Sequence, residues 1–108
     1  MSQLLKEIIQ LAGAGRVRIS EHGYDELAED GLSAREVVAG LVHGKVVEDY
    51  PDYPKGPCVL VLVQDRGGKP VHALWGIPKG HTSPAVLITA YRPDPNRWGE
   101  KFLNRIDS

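Results

Sequence analysis

The sequence predicts an α+β domain, with two or three N-terminal helices packed on one face of an antiparallel sheet of about four strands. Three observations lead there. Apolar residues recur at helical spacing through about the first 43 positions, then at two-residue or continuous spacing from residue 45 onward. Helices that precede the strands, rather than alternating with them, argue for α+β order. Short turns rich in Gly and Pro join the strands, and such turns connect antiparallel neighbours. At 108 residues the chain has the size of one domain, 1–108, with no linker or repeat to divide it.

The elements follow in order. Leu4, Leu5, Ile8, Ile9, Leu11 and Ala12 lay one apolar stripe along a helix over 2–13, which Gly13 and Gly15 stop. Residues 16–20 are extended, with basic and branched side chains alternating. Ser20 is placed to N-cap a second helix over about 21–30, and Gly31 lies just past its end. Tyr24, Leu27 and Ala28 share its apolar face, while Asp25, Glu26, Glu29 and Asp30 cover the other side. In "LSAREVVAGLVHGK", Ser33 and Glu36 form a capping box, Ala34, Val37, Val38, Leu41 and Val42 make a core stripe, and Gly44 ends it.

From residue 45 the period changes to two. "KVVEDY" is a strand, followed by the proline-rich turn "PDYPKGP". "CVLVLVQD" is apolar on both faces, as a central strand is. "RGGK" turns into "PVHALWGI", where Val71, Ala73, Trp75 and Ile77 alternate with His72, Leu74 and Gly76. "PKGHTSP" leads to "AVLITAYR", where strict alternation puts Leu87, Thr89 and Tyr91 on one face and Val86, Ile88, Ala90 and Arg92 on the other. Pro93 and Pro95 end this strand, and "NRWGEKFLNR" is expected to form a short closing helix.

Composition excludes several classes. Hydrophobic content of 42% and charged content of 25% are ordinary for a globular protein. No apolar run approaches the roughly 18 residues of a membrane span, and the early charges Lys6 and Glu7 are unlike a secretory leader. One cysteine, Cys58, inside an apolar run, rules out an internal disulfide and makes a reducing cytoplasm the expected compartment. The net charge of -1 is unevenly spread. Residues 21–52 hold nine acids against two bases, and residues 53–108 hold eight bases against four acids. The basic end, with Arg92, Arg97, Lys101 and Arg105, suits a phosphate-bearing ligand, and equally an unevenly charged solvated surface.

The candidate chemical groups are few. His22 falls in the first turn of its helix beside Ser20, where the helix N-terminus disfavours imidazolium and Glu21 and Asp25 favour it. A neutral imidazole there suits a general base, or an ordinary partly buried first-turn residue. His72 lies mid-strand on the face away from the expected helices, and Thr89 and Tyr91 are placed to flank it across the ladder. A histidine, a hydroxyl and a phenol on one face make a plausible site, or a half-exposed histidine among good β-formers. Arg18 and Arg92 stand at the ends of extended segments, suited to hold a phosphate or to pair with the acidic helix. Trp98, near Arg92 and Arg97, suits stacking on a base as well as a core-edge role. His43 reads as a helix C-terminal residue and His81 as a solvent-facing turn residue. Four histidines and one cysteine without paired-ligand spacing predict no metal site, and nothing points to another cofactor.

Four segments, "RISEHGYDELAEDGLSAREVVAGL", "GKVVEDYP", "GKPVHALW" and "AVLITAYRPDPNRW", resemble in order and spacing the family called domain of unknown function 4258. The resemblance runs from about residue 16 to residue 98 and carries its motif onto Ser20, His22, His72, Thr89, Tyr91 and, more loosely, Arg92 and Trp98. The family's layout is similar to that of small bacterial toxins of the RelE and BrnT type, which are metal-independent ribonucleases. That likeness implies RNA as substrate and an antitoxin-like protein as partner. In such an enzyme His22 or His72 would take the proton from a ribose 2'-hydroxyl, and Arg18 or Arg92 would stabilise the developing charge. Tyr91 or the other histidine would then protonate the leaving oxygen. This chain departs from such toxins in lacking a strongly basic balance. A non-catalytic binding or partner-interaction module of the same fold is the alternative.

Overall fold

The computed structural model describes residues 2–99 and 101–103. In chain order it contains α1 (Gln3–Gly13), β1 (Val17–Ile19), α2 (Glu21–Glu29), α3 (Ala34–Gly40) running into a 3-10 turn (Leu41–His43), then β2 (Lys45–Tyr50), β3 (Cys58–Gln64), β4 (Pro70–Gly76) and β5 (Ala85–Tyr91). Each α-helix opens on a serine whose hydroxyl accepts a first-turn N–H: Ser2 from Leu5, Ser20 from Gly23 and Ser33 from Glu36. The third helix tightens at Leu41 rather than remaining α-helical to Gly44, as last turns often do.

The sheet has five strands, not about four, and is mixed rather than antiparallel. Its order is β1-β5-β4-β3-β2, with β1 parallel to β5 and every other pair antiparallel. The extra strand is the three-residue stretch Val17–Ile19, read from its alternation as extended but not as a member of the sheet. Its partner β5 comes after everything else in the sheet, so the intervening elements form the long crossover that parallel pairing needs. The pairing is tied at both ends, by Ala85 N–H donating to Arg16 and Ser20 N–H donating to Leu87.

Strand alternation sorts side chains to two faces. Val59, Val61, Val63, Val71, Ala73 and Trp75 join Leu5 and Ile8 of α1, Leu27 of α2, and Val37 and Leu41 in one apolar cluster. Each fully buried Val or Leu side chain contributes about 1.5–3 kcal/mol of transfer free energy. On β5 a bulge at Ile88 breaks the simple alternation: Leu74 pairs with Thr89, but Trp75 pairs with Leu87. Leu87 and Ala90 therefore join the core, while Thr89 and Tyr91 look the other way. Strict alternation had grouped Leu87 with Thr89 and Tyr91, and the extra residue separates them.

Where β1 ends, α2 takes over the edge of β5. The Ser20 hydroxyl donates to the Ile88 carbonyl at 2.7 Å, and Asp30, just past the helix, accepts from Arg92 N–H at 2.9 Å. Edge groups that would otherwise lack partners are thus satisfied by the helix and its flanks. The helix expected over 96–105 is replaced by turns: Asp94 accepts from the N–H groups of Arg97 and Trp98, and Gly99 from that of Phe102. Residues 100 and 104–105 of that segment lie outside the described residues.

Candidate binding face

The face of the sheet opposite the apolar cluster carries most of the singled-out residues. His72 on β4 pairs directly with Tyr91 on β5, and Thr89 lies one step along, opposite Leu74. The Tyr91 hydroxyl is 3.2 Å from His72 Nδ1, and the two rings meet edge-on with centroids 5.4 Å apart. His72 is not the half-exposed residue expected from its strand; it is 0% exposed. The segment after β5 returns over it. Trp98, 5% exposed, sets its indole edge-on against the imidazole, with centroids 4.3 Å apart, and the Phe102 carbonyl lies 2.7 Å from Nε2. A carbonyl can only accept, so Nε2 carries a proton; in the neutral ring Nδ1 then accepts from Tyr91.

Beside this covered cluster the face is open. A cavity of about 270 Å³ is lined by Tyr50, Tyr53, Leu60, Leu74, Thr89 and Tyr91, among others. It shares Tyr53 and Ile88 with a second hollow of about 290 Å³ that is bordered by Arg18, Lys55 and Val86. The two form one groove, apolar and aromatic along its floor, with two cations at the end away from His72. Arg18 reaches it because Val17 and Ile19 on either side turn into the core. Cys58 lines the same wall, and burial, with the Asp49 carboxylate as a second cause, pushes its thiol above the ordinary range. A protonated thiol is a poor nucleophile, so Cys58 is wall rather than reagent.

The other predicted site residues lie elsewhere. His22 is 66% exposed on α2, with Nε2 3.5 Å from Glu26 one helical turn on, and is not brought to His72 or Tyr91. Ser20 uses its hydroxyl twice for structure, accepting from Gly23 N–H and donating to Ile88. Arg92 is clamped: its guanidinium is 2.9 Å from Asp65, and its N–H is held by Asp30. Asp65 in turn accepts from Gly67 and Lys69 N–H groups in the β3–β4 turn. The Lys69 N–H is the largest cause holding its carboxyl below the usual carboxylate range; burial opposes it, and the Arg92 guanidinium and the Gly67 N–H add to the lowering.

Sequence reasoning grouped His72, Thr89 and Tyr91 on one face; that Trp98 packs on His72 rather than standing by Arg92 and Arg97, and that Arg18 borders the same face, comes from the structure. It missed Tyr53, Lys55, Leu74 and Phe102. Tyr53 and Lys55 carried a usable signal, an aromatic and a cation alternating in an exposed proline-rich turn. Phe102 contributes a backbone carbonyl, which no residue type advertises. Among the described residues, no group of three metal-binding side chains gathers, and no helix is long and apolar enough to cross a membrane.

The sequence model of the family described as "Domain of unknown function (DUF4258)" matches residues 19–92, more than half of the chain. That span includes β5, all of the groove except Arg18, and the His72–Tyr91 pair. No curated protein and no solved structure matches the chain.

Proposed function

The chain belongs to the family described as domain of unknown function DUF4258, and we propose that it is a binding module that takes single-stranded RNA along the groove of its open sheet face. One observation carries this reading: a continuous floor of Tyr53, Leu74, Ile88 and Tyr91 that ends in Arg18 and Lys55. Bases stack on exposed aromatic rings regardless of sequence, and paired cations hold the phosphates that follow. Tyr53 is 51% exposed, a large ring held out of the core. Arg18 and Lys55 border the groove, and the Glu48 carboxylate, which the pairing with Leu60 puts on the same face, is engaged by the Tyr50 hydroxyl at 2.7 Å.

The test is fluorescence anisotropy of a labelled single-stranded RNA at several salt concentrations. Neutralising two phosphate contacts in Arg18→Ala/Lys55→Ala should weaken binding and flatten the logarithmic salt slope by about 1.4. Tyr53→Ala should weaken binding by about 1–3 kcal/mol, the worth of one stacked base. An unchanged affinity in both variants, with folding intact, removes the groove from the account.

The toxin-like ribonuclease of the RelE and BrnT fold group is the second reading, favoured by the phenol of Tyr91 set on an imidazole at the groove's edge. Catalysis there requires His72 to be uncovered, since a general base must reach the 2'-hydroxyl. Purified protein incubated with total RNA tests it. Cleavage by the wild type, lost in Tyr91→Phe and in His72→Ala, supports the enzyme, and growth arrest relieved by an antitoxin-like partner belongs with it. Intact RNA in the presence of folded, RNA-binding protein leaves the binding module.

A further inference from the structure

The segment that returns over His72 occupies its site as a ligand would. Trp98 presents the edge contact of an aromatic ring, and a few residues on Phe102 presents a carbonyl oxygen to the Nε2 proton. Each supplies His72 with one of the two contacts that a heteroaromatic ring bearing a carbonyl offers, an edge-on ring and an acceptor for the Nε2 proton. The site they fill is built rather than incidental. His72 is fully buried, its ring is held on the Nδ1 side by Tyr91, and its Nε2–H has one direction left in which to donate.

The returning segment lies across a surface that continues on both sides of it. On one side is the groove, whose wall ends at Tyr91; on the other is a hollow of about 330 Å³ bordered by Lys45, Leu62, Gln64, Lys101 and Phe102. Lifting the segment would join the two into one track, with His72 at its middle and cations near both ends. The segment is also held under local tension. Phe102 has φ 58°, the left-handed region, where a bulky residue sits at a cost of about 1–3 kcal/mol.

We infer that the His72 pocket is a recognition site for a nucleobase bearing an exocyclic carbonyl, filled in cis by Trp98 and the Phe102 carbonyl until RNA displaces them. Uracil fits this description. Its ring takes the place of the indole and its carbonyl oxygen that of Phe102, accepting the same Nε2 proton. Adenine presents an exocyclic amino group where uracil has a carbonyl, and two donors facing each other do not pair. The inference rests on the groove being an RNA track and adds to it base selection and a cover that must leave.

The experiment compares labelled uridine and adenosine hexamers on the full chain. A ligand whose site is mostly covered binds with its affinity reduced by the open fraction. Trp98→Ala should therefore bind the uridine hexamer about tenfold more tightly than the wild type, with a smaller change for the adenosine hexamer. His72→Leu placed in that background should abolish the preference while keeping binding through Arg18 and Lys55. In the wild type, saturating uridine hexamer should open Trp98 to acrylamide quenching, a readout that needs no variant to fold. Equal effects on both hexamers, or Trp98 staying protected when the uridine hexamer is bound, overturn the inference and leave the groove standing. Binding of neither hexamer by any folded variant overturns the groove reading and this inference with it.

Discussion

Gly23 occupies a place where a methyl group has no room. A β-carbon there would stand 2.9 Å from the Leu87 carbonyl oxygen and 3.2 Å from that of Ile88, both backbone atoms of β5. Inside a helix, Gly→Ala ordinarily stabilises by up to about 1 kcal/mol. Here the sign reverses, because α2 can accept the methyl only by lifting off the edge it covers. Gly23→Ala should lower the urea unfolding free energy by about 1–3 kcal/mol, as overpacking does. It should also loosen the bond from the Ser20 hydroxyl to Ile88. The same closeness explains the sequence around it. Ser20 caps and reaches the strand, Gly23 allows the approach, and Leu27 enters the core one turn later. His22, between them, points to solvent, and the helix has no structural need of it.

Among the elements, the β3–β4 turn and the end of β5 hold each other through Asp65 and Arg92, and the Asp65 carboxyl, held first by the Lys69 N–H of its own turn, carries a pH dependence. The folded carboxyl titrates below its usual value of 3.8, so the folded state binds fewer protons than the unfolded chain in that window. Its stabilisation is complete above the unfolded value and disappears as pH falls through the lower folded one. Asp65→Asn should therefore destabilise at pH 7 and cost nothing extra once the wild-type carboxyl is protonated, which paired urea titrations at pH 7 and at about pH 2 would display. Most elements were legible from periodicity and capping, down to the serines that open α2 and α3, because those signals are local. The parallel strand was not, since Val17–Ile19 gains its identity from a partner 68 positions away. Nor was the Ile88 bulge, which leaves no mark in an alternating run of good β-formers yet decides which face Leu87 takes.

For the whole molecule, charge and cover matter more than any single group. The sequence placed a histidine, a hydroxyl and a phenol on one face, and the folded chain has them there. That the same chain then roofs them with Trp98 was not legible, because the roof is made by turns and a backbone carbonyl rather than by a periodic element. Arg92 illustrates the opposite limit. Its residue type suits phosphate, but its neighbours Asp65 and Asp30 claim it. One further consequence lies in the pairing of β1 with β5. On a ribosome working from the N-terminus, at about 5–20 residues per second, Val17–Ile19 waits roughly 3–14 s for Ala85–Leu87 to be made. The helices and the β2–β4 meander can form in that interval, but the seam between first and last strand cannot. Completion of the sheet therefore waits on β5, and the nascent chain carries an unclosed edge until that strand emerges.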